Sequence, residues 1–288
     1  MNTKPKFSLP IKKSSIATQS LPWGKWGLRV TAASYLTLMV LLPISAIFKK
    51  GLEDGFLVFW AEITNPIAFS ALKLTLIMAM LTTVINILIG TLTAYVLVRY
   101  RFPGLQLLNW IIDLPFAIPT LVTGLMLVIL YGPQQILGSW LEAHNIRIIF
   151  ATPGIMLALL FVTYPFVIRT VQAVLIEVEK KQEEAAYTMG ASKWTTFYHI
   201  LLPMISSAIA TGALLSFARA LGEFGSIVAV AGNIPGRTLT SPVHIFGQIE
   251  SYNQRGASAI SILLLTISFT LILLVDWIGS KEKQNAKN

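Results

Sequence analysis

Long apolar runs separated by polar stretches dominate the chain from residue 30 onward. A helix needs about 20 mainly apolar residues in succession to cross a lipid bilayer. We predict membrane spans at 30–48, 74–98, 107–131, 148–168, 204–231 and 257–278. The pattern therefore predicts an all-α integral membrane protein with six transmembrane helices.

The third apolar run is irregular. Asp113, Pro115 and Pro119 interrupt it, and proline breaks or kinks a helix because it has no backbone N–H to donate. Irregular backbone at membrane depth needs protein around it to satisfy its polar groups. We therefore expect a kinked or broken helix, with Asp113 near its start, where the carboxylate caps a half-helix or faces water. Binding of a substrate by Asp113 is the alternative.

A strongly polar segment, residues 177–203, separates the fourth and fifth runs, and we call it the elbow segment. Residues 180–189 favour a helix, Gly190 is a natural helix stop, and Ser192 can cap a second short helix that leads to Pro203. The pattern predicts a helix, a glycine turn and another helix, all lying in water.

The elbow segment has the surface of a docking element. Small side chains leave its backbone nearly bare, so that a partner can approach closely, and two carboxylates lie beside them. These residues are Ala185, Ala186, Gly190 and Ala191, with Glu183 and Glu184. The alternative interpretation is an ordinary surface helix between two membrane spans.

Arg219 and Glu223 place two charges inside the fifth predicted span. At four residues apart they share one helix face, and they lie about 23 Å along the run. Ionised groups at such depth are costly unless they pair or face water. One interpretation is an ion pair that satisfies itself inside the bundle. The other is a translocation path, in which Arg219 attracts a passing anion and Glu223 keeps the attraction weak enough for release.

Several polar residues lie in or beside the second predicted span, and helix packing explains them without a role in translocation. Asn86, Thr75, Thr82 and Thr83 can hydrogen-bond between helices, and helix packing is their default explanation. Lys73 is expected to extend outward to the membrane interface.

Composition narrows the class of protein. The 288 residues are 55% hydrophobic and 12% charged, whereas soluble domains carry about 25% charged residues, so a soluble globular domain is excluded. The absence of cysteine excludes disulfides and thiolate metal or redox sites. The net charge of +9 follows membrane topology and does not indicate nucleic-acid binding.

Basic residues mark one side of the membrane. They cluster in the tail at 1–27, at Arg99 and Arg101, and in the tail at 280–288, whereas residues 49–69 hold two lysines against three acidic residues. Lysine and arginine concentrate in cytosolic loops. We therefore place both termini in the cytosol. In the sequence, the two tails flank a transmembrane domain at 28–279.

No catalytic constellation is recognisable. The nearest phosphate-loop candidate, 232–238, has the wrong spacing and an arginine in place of the lysine. His144, His199 and His244 lie in separate segments without a paired carboxylate, so we expect no metal site and no cofactor. The chain is therefore not expected to be an enzyme, and any energy must come from another subunit.

The elbow segment resembles the cytoplasmic EAA loop of ABC-importer permeases, through Glu184-Ala185-Ala186, Gly190-Ala191-Ser192, Phe197 and Leu202-Pro203. The resemblance implies the type I importer permease fold, with one N-terminal helix and a five-helix core. It also implies that the elbow segment is the coupling helix, which sits in a cleft of an ATPase subunit. The coupling residues would then be Glu184, Ala185, Ala186, Gly190, Ala191 and Ser192.

A narrower resemblance covers residues 28–278 and is strongest at 99–104, 113–120, 165–172 and 221–234. These stretches are similar to sulfate/thiosulfate permease subunits of the T type. The element Leu221-Gly222-Glu223-Phe224-Gly225 is also similar to molybdate permeases. The N-terminal tail and the loops at 132–147 and 235–255 depart from the family pattern.

This resemblance implies an ATP-driven importer of sulfate or thiosulfate in the inner (plasma) membrane, surrounded by membrane lipid. The implied partners are a second homologous permease, two cytosolic ABC ATPase subunits and an extracytoplasmic sulfate-binding protein. A permease for molybdate or another tetrahedral oxyanion is the alternative. A homodimer or heterodimer of permeases, and a bacterial or plastid membrane, are equally compatible with the sequence.

Overall fold

The computed structural model describes residues 22–178 and 180–285, and its side chains from Trp26 to Leu273 apart from position 179. All regular elements in these ranges are helices. The predicted tails fall largely outside the described residues, at 1–21 and 286–288. The chain forms two compact units, residues 1–46 and 47–288.

The first unit is an apolar helical stretch. It contains α1 (Pro22–Leu36), a π turn (Thr37–Leu41) and the beginning of α2 (Leu42–Leu52). Its described side chains are exposed, apart from half-buried Ile44. The helical run Trp26–Leu52 has 27 residues, which is long enough to cross a bilayer.

Two π turns, Thr37–Leu41 and Phe197–Leu201, each end two residues before a proline, at Pro43 and Pro203. A proline ring presses on the carbonyl four residues earlier and offers that carbonyl no N–H. In both cases that carbonyl lies within the π turn, where hydrogen bonds span five residues and the helix is wider. The π turns therefore relieve the clash without ending the helix.

The second unit is a helical bundle with three long helices at its core, α4 (Pro66–Arg99), α8 (Thr152–Glu177) and α11 (Leu202–Leu221). The shorter elements before the elbow segment are α3 (Phe56–Thr64), α5 (Leu105–Ala117), α6 (Thr120–Tyr131) and α7 (Ile136–Ala143). The elements after α11 are α12 (Gly225–Val230), α13 (Ser241–Glu250) and α14 (Gln254–Asn285).

The three core helices meet around fully buried Val167 of α8. A Cβ atom on Gly212 of α11 would lie 2.8 Å from the Val167 Cα and 2.3 Å from the Thr170 Oγ1. A Cβ atom on Gly90 of α4 would lie 3.0 Å from the Val167 Cβ. Glycine at these two positions therefore lets the helix backbones approach closely, as membrane helices commonly do.

A buried polar node also joins the core helices. The Asn86 amide nitrogen donates to the Thr163 Oγ1 at 2.7 Å and to the Ser216 Oγ at 2.9 Å, and so links α4 with α8 and α11. Thr75 accepts from the Ser241 backbone N–H at 2.8 Å. Asn86 and Thr75 therefore do hydrogen-bond between elements, whereas the buried Thr83 hydroxyl donates to the Ala79 carbonyl of its own helix.

The predicted break in the third apolar run is confirmed, because α5 and α6 meet at an angle of 113°. Ile118 is extended at the junction, as expected for a residue before proline, and Pro119 begins the turn into α6. Asp113 lies well inside α5 and pairs with Arg169 of α8, so it caps no half-helix. Its side chain is 53% exposed, and the alternative that it faces water stays a prediction.

The run at 204–231, predicted as one span, is divided in the structure. Helix α11 ends at Leu221 and α12 begins at Gly225. At Gly225 a Cβ atom would lie 2.2 Å from the Thr120 Oγ1, so the chain passes close to the start of α6 there. The described residues contain five helices long and apolar enough to span a membrane, or six when the bent pair counts as one span.

Candidate coupling and translocation sites

The first helix of the elbow segment is α9 (Lys180–Thr188), and Gly190 ends it as predicted. Gly190 has φ of 86°, in the left-handed region. Its N–H donates to the Tyr187 carbonyl and the Ala191 N–H donates to the Ala186 carbonyl, both at 3.0 Å. These two bonds form a Schellman cap, which satisfies carbonyls at the helix end and favours glycine at the left-handed position.

Ser192 caps the second helix, α10 (Lys193–Thr196), as predicted. Its hydroxyl accepts from the Thr195 N–H at 3.1 Å, which satisfies an N–H that the helix leaves unpaired. The π turn Phe197–Leu201 follows and joins α10 to α11. The elbow segment is therefore fixed at Gly190 and Ser192 by local hydrogen bonds.

The two faces of α9 differ. Glu183 and Ala186 are buried against the bundle, while Glu184 and Ala185 are exposed. The exposed side also presents Tyr187, Thr188 and Met189. Of the residues expected to meet a partner, Glu184, Ala185, Gly190 and Ser192 are exposed, Ala191 is half-buried, and Ala186 faces inward.

Arg99 at the end of α4 holds α9 to the bundle. Its Nε lies 2.6 Å from the Glu183 Oε1, and both side chains are only 7% exposed. This is a close charge contact rather than an aligned hydrogen bond. The Nη1 donates to the Leu175 carbonyl at 3.1 Å and the Nη2 to the Val178 carbonyl at 3.3 Å.

The sequence pattern does not predict this pair. It indicates Arg99 as a marker of membrane topology and Glu183 as a charge offered to a partner. Their spacing holds the available signal. Glu183 and Ala186 are three residues apart and share one side of the helix, so a carboxylate on the side of α9 that faces the bundle calls for a positively charged partner there.

Arg219 and Glu223 form the ion pair expected from their spacing. The Arg219 Nη1 lies 2.7 Å from the Glu223 Oε2. The other carboxylate oxygen accepts from the Ser226 N–H at 2.8 Å and from the Ser226 hydroxyl at 2.7 Å. Glu223 thus sits in the break between α11 and α12 and caps the beginning of α12.

The two members of this pair differ in exposure. Glu223 is 1% exposed, whereas the Arg219 side chain is 34% exposed. Among the described residues, the Nε and Nη2 of Arg219 have no hydrogen-bond partner. Arg219 therefore keeps part of its guanidinium exposed, while the buried Glu223 carboxylate offsets part of the cost of burying its charge by pairing with Arg219.

Arg169 on α8 is the contrasting case. Its Nε and Nη2 contact the Asp113 Oδ1 at 2.8 and 2.7 Å. Its Nη1 donates to the Asn109 Oδ1 at 2.9 Å and to the Gln172 Oε1, and its Nη2 also donates to the Asn109 carbonyl. All three nitrogens are engaged, so Arg169 fastens α5 to α8. The sequence interpretation missed it because Arg169 was placed at the end of a span, whereas α8 continues to Glu177.

Similar proteins support a transport role. The chain is 41% identical over 287 residues to the probable sulfate transport system permease protein cysT of Chlorokybus atmophyticus, with 100% of this chain and 98% of the relative covered. It is 39% identical over 280 residues to the sulfate transport system permease protein CysT of Synechocystis, with 96% of each covered. The permease CysT of Escherichia coli is 39% identical, with 87% of this chain and 91% of the relative covered.

Solved structures share the fold. A chain of a bacterial ABC transporter involved in the import of alginate matches with a TM-score of 0.75 at 17% identity, over 90% of this chain and 96% of that chain. A chain of the MetNI methionine ABC transporter matches with a TM-score of 0.55 at 18% identity, over 73% and 94% of the two chains. At this level of identity the likeness concerns the fold alone, and it confirms the predicted importer permease architecture.

Apolar spans, a bent helix pair and an exposed elbow between two long helices define a membrane permease of the ABC-importer class. A family model described as "Binding-protein-dependent transport system inner membrane component" matches residues 86–284. The chain belongs to this family of inner-membrane transport components.

Proposed function

We propose that the chain is the membrane-spanning permease subunit of an ATP-driven importer for sulfate or thiosulfate. The names of its relatives support this substrate class. The observation that carries the proposal is the Arg219 guanidinium, which is one-third exposed and engages only one of its nitrogens among the described residues. A tetrahedral oxyanion presents acceptor oxygens that suit such planar donors.

Glu223 sets the strength of this attraction. Its buried carboxylate neutralises much of the Arg219 charge and is itself held by Ser226. A dianion passing Arg219 would therefore meet oriented N–H donors on a guanidinium whose positive charge Glu223 largely neutralises. Conduction requires binding that is favourable enough for entry and weak enough for release, and a paired arginine meets both conditions.

The elbow segment supplies the coupling in this proposal. An ATPase subunit would contact the exposed face formed by Glu184, Ala185, Gly190 and Ser192, with Ala186 and Ala191 supporting it from behind. ATP-driven closure of the ATPases would push the elbow segment and tilt the attached α8 and α11. Such rigid-body movement exchanges inward for outward access.

The proposed assembly contains two permeases, two cytosolic ATPase subunits and an extracytoplasmic binding protein, in the inner membrane. Both termini and the elbow segment would face the cytosol, as the basic tails favour. ATP would be hydrolysed by the partner subunits. Purification of the tagged chain from its native membrane, with identification of the bound ATPase and permease, tests this composition and separates a homodimer from a heterodimer of permeases.

A competition experiment tests the substrate. Radioactive sulfate uptake into proteoliposomes holding the complete transporter is measured with an excess of unlabelled sulfate, thiosulfate or molybdate. We expect sulfate and thiosulfate to suppress uptake and molybdate to have little effect. Stronger suppression by molybdate than by unlabelled sulfate would contradict the proposal and would favour the alternative oxyanion. Uptake without ATPase subunits would contradict the coupling.

A further inference from the structure

We propose that Arg99 and Glu183 form a tie that fixes α9 to the membrane helices, and that Arg99 is a positioning residue for coupling. The inference rests on the proposed function, because it concerns how movement of the elbow segment reaches the bundle. The tie consists of the Arg99–Glu183 ion pair together with the bonds from Arg99 to the carbonyls of Leu175 and Val178.

One arginine joins three elements at this point. Arg99 is the last residue of α4, Leu175 lies in the last turn of α8, and Glu183 lies in the first turn of α9. The carbonyls at a helix C-terminus carry partial negative charge and favour a cation. Arg99 therefore caps α8 and binds α9 through the same guanidinium, so the ends of α4 and α8 and the beginning of α9 are held together.

The buried face of α9 is small. Glu183 and Ala186 are its buried side chains, and an alanine contributes a single methyl group to packing. A cavity of about 220 Å³ lies beside the ion pair, between α9 and the end of α4, and Tyr95, Tyr100 and Tyr187 are among its lining residues. The Arg99–Glu183 pair lies at the edge of this space and is the charge contact that the described residues show between α9 and α4.

Burial makes the tie sensitive to the loss of either partner. Both side chains are 7% exposed, and removing one member of a buried ion pair leaves the other charge desolvated and unpaired. Removing both members leaves no such charge. The two residues should therefore behave as a unit in a double-mutant cycle, with the double variant no worse than either single variant.

The functional test uses the complete transporter in proteoliposomes and measures sulfate imported per ATP hydrolysed. We expect Arg99→Gln and Glu183→Gln each to lower this ratio by about tenfold, a typical size for coupling between sites. The double variant Arg99→Gln/Glu183→Gln should fall by no more than either single variant. Arg101→Gln, which changes an exposed arginine two residues away, should match the unmodified transporter.

The conservative variant Arg99→Lys distinguishes a loss of coupling from a failure to fold. Arg99→Lys keeps the positive charge near Glu183 but cannot reach both carbonyls with a planar group, so its import per ATP should lie between the unmodified transporter and Arg99→Gln. An unchanged ratio in Arg99→Gln, or strictly additive losses in the double variant, would overturn the proposal.

A distance measurement keeps the proposal testable when a variant transports poorly or assembles in low yield. The chain has no cysteine, so Val96→Cys and Thr188→Cys allow spin labels at exposed positions on α4 and α9. In the assembled complex, with partner cysteines replaced, we expect one narrow distance distribution that Arg99→Gln broadens and Arg101→Gln does not. An unchanged distribution in Arg99→Gln would contradict the tie. A native complex that imports no sulfate would instead contradict the proposed function, and the distances would still decide the tie.

Discussion

Arg99 and Arg219 each pair with a buried glutamate, yet the two arginines are used differently. Arg99 is 7% exposed and all three of its nitrogens lie against oxygen atoms. Arg219 is 34% exposed, and one nitrogen carries its ion pair. The comparison teaches that a buried guanidinium whose nitrogens all lie against oxygen atoms fastens helices, whereas a partly exposed guanidinium can meet a passing anion.

Neutralising the Arg219 pair should have the largest effect. In the double variant Arg219→Gln/Glu223→Gln no buried charge is left unpaired, so the complex should assemble. Sulfate uptake should fall about 100-fold, because hydrogen bonds from a charged donor to the anion are lost. Uptake is measured at equal amounts of transporter in proteoliposomes, and normal uptake would show that the pair is structural.

The matched control neutralises the fastening pair in the membrane. Arg169→Gln/Asp113→Asn removes charge where the donors are already engaged. We expect a lower thermal stability of the complex and an unchanged KM for sulfate. An equally severe loss of uptake in this control would remove the distinction between engaged and available arginines.

Arg219→Lys tests whether the planar donors of Arg219 matter beyond its positive charge. The ammonium keeps the positive charge near Glu223 but lacks the planar array of donors. We expect the KM for sulfate to rise about tenfold with a similar maximal rate, in keeping with the loss of one charge-assisted hydrogen bond. The concentration dependence of uptake measures this, and an unchanged KM would mean that the spare donors do not contact the substrate.

Gly190→Val tests the elbow segment. A left-handed conformation costs a residue with a Cβ about 1–2 kcal/mol, and more for a branched side chain, so α9 should lose its orientation and retain less ATPase on purification. Among the described residues other than the two neighbours of Gly190, no heavy atom lies within 4 Å of a Cβ built there, so the effect would arise from the backbone or from a partner. Gly190→Asn, which tolerates this conformation, should retain more ATPase; equal losses in both variants would point to a steric clash with the partner.

Ser192→Ala should have the smallest effect. Loss of the cap costs about 1 kcal/mol and should loosen α10 without disturbing the Arg99 tie. Hydrogen exchange at the amides of Thr195 and its neighbours should speed up, while uptake falls by less than about twofold. Ser192→Asp should restore the protection, because aspartate also caps helices.

Much of the fold could be predicted from local patterns. The apolar runs locate the long helices, the prolines locate the bend between α5 and α6, and Gly190 and Ser192 locate the turn of the elbow segment. Each of these features depends on residues close together in the sequence, where backbone preferences decide the structure.

The ion pairs between helices could not be predicted in this way. The Arg169–Asp113 and Arg99–Glu183 pairs join residues that lie far apart in the chain, so they follow from how the helices pack. The division of the 204–231 run was also missed. An apolar pattern does not register that Glu223 turns inward to bind Ser226 and begin a new helix.

Gly212 has a consequence for the two helices on either side of the elbow segment. Its backbone lies against the Val167 backbone and the Thr170 hydroxyl with no room for a methyl group, so α8 and α11 pack closely at that level. A force applied at the elbow segment should therefore move α8 and α11 together as one rigid body. A single methyl group added at Gly212 should push the two helices apart and block this movement.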